Sequence, residues 1–277
     1  MAFTLVGDAA VVSGSTSPTR AAAVFKGGDT DDAYAIDAWA TDRKGTDTAG
    51  TITAWINTGD KTSTGCIVSM NDANVVEFLD FKIAAGKIGA ACTDATTPKW
   101  ATATTAAVIE PHIWYHVALV QDAVRPQIYL NGVLQALTDS VTTTLGYWVD
   151  QLAGVDKGWI GASSIGGAGA VGEEFVGAIS DVKYWSVALT AAQVLDDYNG
   201  KANVTGTAAN LTDWWTMKDL VDVQKGANNM VAVSDVYLTP CYNEFVSRVR
   251  QFGAVVADVG GFCEHNGRMS VLFINAA

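Results

Sequence analysis

The acidic residues that could cleave a glycosidic bond are not spaced in this sequence as that chemistry requires. Retaining glycosidases hold two carboxyl groups about 5 Å apart. On a strand this requires residues two or four apart, because alternate side chains share a face. Glu77 and Asp80 are three apart, Glu173 and Glu174 are adjacent, and Glu110 precedes a proline. The spacing predicts no catalytic pair, and we expect a protein that is not an enzyme.

The three histidines show no pattern typical of a metal site or a catalytic base. His112 and His116 are four apart in a strand and its approach, so they share no helical face for zinc, and no third ligand follows closely. His265 lies in a turn signal. No serine or cysteine carries the local signature of an activated nucleophile. We expect His116 to be a partly buried strand residue beside Trp114.

Three aspartates, Asp29, Asp31 and Asp32, form the one cluster that could bind a metal ion. Carboxylate oxygens are ligands that calcium prefers, but the cluster lacks the spaced ligands and distal glutamate of a dedicated calcium loop. Calcium is therefore the only cofactor that the sequence suggests, with a solvated turn as the alternative.

Aromatic residues near predicted loops are candidates for stacking on a sugar ring. Trp100 follows a turn, and Tyr147 and Trp148 lie in the longest connector, residues 138–157. A flat ring next to a loop can contact the apolar face of a sugar, whereas a ring in a strand packs in the core. We predict Trp100, Tyr147 and Trp148 as glycan-binding candidates, with core packing or a subunit contact as the alternative.

A β-hairpin is the strongest structural signal in the chain. Residues 114–120 and 127–136 are rich in β-branched and aromatic side chains, and Asn131-Gly132 supplies the two positive φ angles of a type I′ turn. Both alternating faces of the first run are apolar, which is typical of a strand inside a sandwich. Cys66 and Cys92 fall on the first and third strands of a predicted meander, about 10 Å apart and too far for a disulfide.

Four stretches together resemble the concanavalin A-like lectin/glucanase jelly rolls, especially their laminin-G-like and pentraxin-like branch. They are Trp114 with His116-Val117-Ala118 and the following Asn131-Gly132, the strand at 50–56, the strand at 175–185, and Ala188-Leu189-Thr190 with its helix. The resemblance covers roughly residues 21–217. It implies an all-β, antiparallel jelly-roll β-sandwich with one short helix. The same sandwich carries lectins, hydrolases, adhesins and structural modules, so the fold alone selects no function.

The chain divides into three predicted parts: a connector at 1–20, the jelly-roll domain at 21–217, and an extension at 218–277. In the extension, Tyr242, Phe245, Val249 and Phe252 recur at helical spacing, which predicts an amphipathic helix. A hairpin around Asn266-Gly267 follows, with Cys263 opposite Ser270 and Glu264 opposite Met269. Apolar surface of this extent must be covered, so we predict that these four helix residues mediate packing or assembly.

The amino-acid composition limits the classes of binding partner that we expect. With 29 acidic and 17 basic residues the net charge is −12, which disfavours nucleic acid as a partner. No apolar run is long enough to insert in a membrane, and the N-terminus lacks the basic and apolar regions of a signal peptide. We therefore expect synthesis in a cytoplasm.

The sequence favours a non-enzymatic, lectin-like component of a larger assembly. A decoration or fibre protein on the surface of a phage or virus particle, in a homo-oligomer or shell, is the first hypothesis. A free carbohydrate-binding module or microbial adhesin that binds surface glycans is the alternative, followed by a glycan-active enzyme.

Overall fold

The structure, a computed structural model, is a sandwich of two eight-stranded antiparallel sheets. It describes residues 21–26, 33–164, 171–201, 207–218, 220–224, 228–233, 237–239, 259–265 and 268–273. The strands in chain order are β1 (Ala22–Phe25), β2 (Ala33–Ala35), β3 (Gly50–Thr58), β4 (Gly65–Asn71), β5 (Phe78–Ala84), β6 (Lys87–Asp94), β7 (Thr97–Thr104), β8 (Tyr115–Gln121), β9 (Pro126–Leu130), β10 (Val133–Leu134), β11 (Leu137–Val141), β12 (Lys157–Ile160), β13 (Gly177–Trp185), β14 (Leu211–Trp215), β15 (Val231–Val233), β16 (Tyr237–Thr239), β17 (Val259–His265) and β18 (Arg268–Phe273).

The first sheet has the order β10-β9-β8-β3-β13-β1-β16, with β14 also paired to β13. The second sheet has the order β11-β7-β6-β5-β4-β12-β2-β15. Consecutive strands pair in the hairpin regions, while β13 returns late in the chain to the centre of the first sheet beside β3. This arrangement confirms the predicted all-β antiparallel sandwich.

The core lies between the sheets, where β3, β8 and β13 each direct a row of apolar side chains inward. The apolar patterns of these strands predict that Trp55, Trp114, Val117, Leu119 and Ile179 are buried, and all five are. Val117, Leu119 and Ile179 lie in the core between the sheets, and Trp55 and Trp114 lie in a smaller apolar cluster with residues of β1 and β13. The first sheet is therefore covered on its outer face as well as on its inner one.

One predicted turn and the strand register of two predicted hairpins are confirmed. Asn131 and Gly132 have φ angles of 50° and 78° and join Leu130 to Val133 in the register of a two-residue hairpin. A Cβ at Gly132 would come within 2.7 Å of Leu195, so only glycine fits between this turn and the neighbouring helix. Near the C-terminus, β17 and β18 pair in the predicted register, with Cys263 opposite Ser270.

The described residues include two α-helices, α1 (Asp37–Arg43) and α2 (Ala191–Tyr198). For α2 the predicted capping box is present, with Thr190 accepting from the backbone of Gln193 and the Gln193 side chain accepting from the backbone of Thr190. Helix α1 was not predicted. It has only seven residues, and its first turn follows Ile36 without a side-chain cap. Burial of Trp39 against Trp215 and Tyr184 stabilises it instead.

Helix α2 is held on the outer face of the first sheet by a buried carboxylate. Asp197 Oδ1 accepts from Lys183 Nζ of β13 at 2.6 Å. Its Oδ2 accepts from Thr53 Oγ1 of β3 at 2.8 Å and lies 3.0 Å from His116 Nε2 of β8. Asp181 adds a second carboxylate 3.2 Å from Lys183. One helical side chain thus contacts three adjacent strands.

The pKa directions agree with a paired buried charge. Burial alone would raise the pKa of Asp197, but the Lys183 ammonium and the His116 ring outweigh it and lower the pKa below its usual range. Burial would likewise lower the pKa of Lys183, yet the carboxylates of Asp197 and Asp181 raise it. Both groups therefore stay charged inside the protein.

The sheets continue beyond residue 217, which is the predicted C-terminal boundary of the jelly roll. Strand β15 extends the second sheet beside β2, and β16 extends the first sheet beside β1. The start of the predicted extension therefore belongs to the sandwich, and the division at 217 stays a prediction. The assembly candidates Tyr242, Phe245, Val249 and Phe252 lie outside the described residues.

The two cysteines of the meander are free thiols, as predicted. Strand β5 lies between β4, which carries Cys66, and β6, which carries Cys92. Burial raises the pKa of both thiols, so they remain protonated and unreactive.

Asp197→Ala should lower the free energy of unfolding by about 3–5 kcal/mol, because it leaves the Lys183 ammonium buried without its main partner. Urea denaturation monitored by tryptophan fluorescence measures the change. Asp196→Ala, on the same helix, is the control and should cost below about 1 kcal/mol, because its ion pair with Lys201 is partly exposed. Equal losses for the two variants would show that Asp197 does not hold the helix.

Candidate functional site

The three aromatic residues predicted to stack on sugar are buried. Trp100 and Trp148 are fully buried, and Tyr147 is 8% exposed. Trp100 Nε1 donates to the Tyr147 carbonyl, and the Tyr147 hydroxyl donates to Asp94 at 2.7 Å. The expectation that these rings are accessible is wrong, because the connector at 138–157 folds back over the core. Their ring faces contact protein instead of solvent, so we place the site elsewhere.

The other sequence candidates are the aspartate cluster and the histidines. Asp29, Asp31 and Asp32 lie outside the described residues. Within the described ranges, no group of three or more His, Cys, Asp or Glu side chains could hold a metal ion. His112 is exposed in a turn with a φ of 62°, and His116 is buried beneath helix α2, as expected for a structural residue. Among those same residues, no helix is long and apolar enough to cross a membrane.

Charged and polar side chains cluster on the outer face of the second sheet. On β5, Leu79, Phe81 and Ile83 point into the core. Strand alternation therefore places Phe78, Asp80 and Lys82 on the opposite face. The register sets Asp80 beside Ser69 of β4 and Ala91 of β6, and sets Lys82 beside Cys66 and Gly89.

A buried layer of hydrogen bonds attaches the segment after β12 to this face. Asp80 Oδ1 accepts from Ser163 Oγ at 2.8 Å, and Ser163 Oγ accepts from Asn71 Nδ2 at 3.2 Å. Asn71 Oδ1 in turn accepts from the backbone N–H of Ser164 and from the hydroxyl of Ser69. The polar side chains of β4 and β5 thus fix Ser163 and Ser164 against the sheet.

Lys82, Asp80 and Glu173 form what we call the Lys82 triad. Lys82 Nζ donates to Glu173 Oε2 at 2.9 Å and lies 3.7 Å from Asp80 Oδ2. The side chains of Lys82 and Glu173 are 22% and 29% exposed, whereas Asp80 is fully buried. Burial raises the pKa of Asp80 to about 6, although Lys82 and the Ser163 hydrogen bond oppose this. Two members of the triad, Lys82 and Glu173, are thus partly accessible to solvent, whereas Asp80 is not.

Next to the triad the sheet has a floor of small residues. Gly89 and Ala91 of β6 pair with Ala103 and Ala101 of β7, and all four are partly exposed. Side chains this short leave a shallow trough between the triad and the edge strand β11. We call this surface the small-residue trough.

One further side chain borders the trough. The half-buried ring of Phe78 lies at one end of the β5 row. Lys99 of β7 is not part of this surface, because it pairs with Asp94 at 3.2 Å and lies 4.8 Å above the ring of Tyr147, which belongs to the core. The surface therefore combines an aromatic ring, hydrogen-bonding charges and an open floor.

Sequence reasoning missed this site, because Glu173 is about ninety residues from Asp80 and no local motif links them. The available signal was strand alternation. It places Phe78, Asp80 and Lys82 on one face of a strand whose other residues face the core. The two carboxylates do approach one ammonium. They come from separate elements, however, and the fully buried Asp80 cannot reach a substrate, so the arrangement is suited to binding and not to glycosidic cleavage.

A family model described as the concanavalin A-like lectin/glucanases superfamily, of the laminin-G type, matches residues 27–195. It spans the sandwich from before β2 to helix α2 and includes every strand that forms the trough. A comparison with curated protein sequences finds no match.

Solved structures share the fold at low identity. The CBM40 domain of the Ruminococcus gnavus IT-sialidase, bound to α2,3-sialyllactose, is 18% identical with a TM-score of 0.51, covering 64% of this chain and 97% of its own. The heptameric SAP-like pentraxin of Limulus polyphemus is 17% identical with a TM-score of 0.53, covering 81% and 96%. A leech intramolecular trans-sialidase is 18% identical with a TM-score of 0.51, covering 66% of this chain but 28% of its own.

Asp80→Asn should stabilise the protein at alkaline pH. The folded-state pKa of about 6 exceeds the usual 3.8, so the ionised carboxylate destabilises the fold above pH 6, and this penalty disappears as the pH falls towards 4. The variant should gain on the order of 2 kcal/mol at pH 8 and almost nothing at pH 4, measured by urea denaturation. Glu110→Gln removes an exposed carboxylate and should change stability by less than about 0.5 kcal/mol at either pH. A loss of stability at pH 8 for Asp80→Asn would contradict this prediction.

Proposed function

We propose, from the premise that this chain belongs to the concanavalin A-like lectin/glucanases superfamily, that it is a non-enzymatic glycan-binding protein. Its binding surface is the small-residue trough with the Lys82 triad and Phe78. The observation that carries the proposal is the combination, on one sheet face, of a partly exposed aromatic ring with charges that are held in place by buried hydrogen bonds.

The chemistry of this face suits a sugar. A hexose presents hydroxyl groups that both donate and accept, and apolar C–H faces that pack on aromatic rings. Glu173 can accept from a hydroxyl, and Lys82 can donate to one. The floor of alanine and glycine leaves room for a ring to lie flat. The R. gnavus domain, whose structure contains a bound sialyllactose, supports a glycan ligand for this fold without identifying it here.

Hydrolysis is the competing function, and the charge arrangement argues against it. An ammonium group between two carboxylates stabilises their ionised forms and weakens either one as a nucleophile. Asp80, whose raised pKa would suit a proton donor, has no exposed surface through which to meet a glycosidic oxygen. We therefore expect no release of reducing ends from polysaccharides.

Attachment to a larger assembly, such as the surface of a virus particle, remains a prediction from the sequence. It depends on Tyr242, Phe245, Val249 and Phe252, which lie outside the described residues. Light scattering on the full chain addresses it directly, because a molar mass that is a multiple of 29.0 kDa would support a homo-oligomer. Synthesis in a cytoplasm is likewise a proposal.

Phe78→Ala should weaken glycan binding at least tenfold, because a stacked aromatic ring contributes about 1.5 kcal/mol beyond its buried area. The labelled full chain is tested on a glycan array, followed by titration calorimetry with the strongest ligand. Val133→Ala is the control, since Val133 is 61% exposed on β10 of the other sheet and should leave binding unchanged. Failure of the wild-type chain to bind any glycan, or equal losses for both variants, would overturn the proposal.

A further inference from the structure

We propose that the trough selects neutral sugars and rejects glycans that carry a carboxylate, with Glu173 as the residue that sets this specificity. This inference depends on the proposed function, because it concerns the ligand of the same surface. It distinguishes this chain from the R. gnavus domain, which binds an acidic sugar, α2,3-sialyllactose.

The lysine beside the trough already has anionic partners. Lys82 donates to Glu173 at 2.9 Å and lies 3.7 Å from Asp80. Recognition of a sugar carboxylate relies on attraction to a cation and a charge-assisted hydrogen bond from it. The charge of Lys82 is already compensated by two carboxylates of the protein, so it attracts a sugar carboxylate weakly, although its remaining N–H groups can donate to a hydroxyl.

Asp80 keeps Lys82 in place. Its Oδ2 atom is buried and makes no hydrogen bond within the described part of the chain. The Lys82 ammonium is the group that offsets the charge on this oxygen. If Lys82 moved to an incoming carboxylate, it would leave a buried charge without compensation, which is strongly unfavourable. The ligand is therefore recognised with Lys82 in its present position.

Glu173 is the exposed member of the triad, and its backbone is held firmly. It adopts a left-handed φ of 49°, which is costly for a residue other than glycine. Its carbonyl accepts from the backbone N–H of Cys66 at 2.7 Å, which fixes it against β4. The backbone is thus fixed, and Lys82 holds the side chain at 2.9 Å. The carboxylate is therefore in place beside the trough before any ligand arrives, so little ordering cost remains on binding.

The net charge of the surface follows from this arrangement. Above the pKa of Asp80 the triad carries two negative charges and one positive charge, so it repels a sugar carboxylate. The net charge of −12 on the whole chain adds to the repulsion. A neutral sugar is not repelled, and its hydroxyl groups can donate to Glu173 and accept from Lys82 in the same position.

The test compares neutral and acidic glycans at pH 7.5 with the full chain. Laminarin, cello-oligosaccharides, galactan and lactose form the neutral set, and alginate, polygalacturonate and α2,3-sialyllactose form the acidic set. We expect at least one neutral glycan to bind and every acidic one to bind at least tenfold more weakly. Glu173→Gln should raise the ratio of acidic to neutral binding about tenfold, because it frees the Lys82 ammonium on its exposed side.

Glu110→Gln is the matched control, because it makes the same change in net charge at an exposed carboxylate paired with Lys61. It should leave the ratio unchanged. If the wild-type chain bound an acidic glycan as tightly as any neutral one, and Lys82→Met abolished that binding, this inference would be overturned while glycan binding at the trough stood. If the chain bound none of these glycans, both proposals would fail. An equal shift in ratio for the two Gln variants would show that overall charge, and not Glu173, sets the preference.

Discussion

The carboxylate of Asp197 is the interaction on which the architecture of the first sheet depends. It lies beneath helix α2 and contacts Lys183 of β13, Thr53 of β3 and His116 of β8. A buried ion pair of this kind contributes little net stability compared with apolar packing, but it is intolerant of misplacement. Its benefit is specificity, since only one position of the helix and one register of the three strands satisfy all the contacts. These contacts fix the position of the central strand β13. This strand begins shortly after Glu173 of the Lys82 triad.

Those features that depend on neighbours in sequence were predictable. Asn131-Gly132 requires positive φ angles whatever surrounds it, and Thr190 with Gln193 caps a helix using its own first turn. The free state of Cys66 and Cys92 followed from the spacing of strands in a meander. In each case the physical cause acts within about ten residues or within one sheet. The apolar residues on both faces of β8 then indicated a strand that is covered on both sides.

The features that sequence reasoning missed depend on long-range packing. Trp148 lies in a connector without strand alternation, yet the connector is drawn into the core, so its ring is buried. Helix α1 forms because Trp39 packs against Trp215, more than 170 residues away, and not because of a local cap. Glu173 lies near Lys82 because the segment that follows β12 packs against the sheet. None of these contacts can be predicted from residues that are close in sequence, because each joins distant parts of the chain.

The strands that follow β14 have a mechanical consequence. Within one short stretch of chain, β15 joins the border of the second sheet and β16 joins the border of the first. The same segment therefore forms an edge strand of each sheet. A pulling force applied from the C-terminal side would load the edge hydrogen bonds of β1 and β2 before it reached the centre of either sheet. The trough on β5 to β7 lies several strands away from that border, so a protein tethered through its C-terminal region would keep its binding surface undistorted under load.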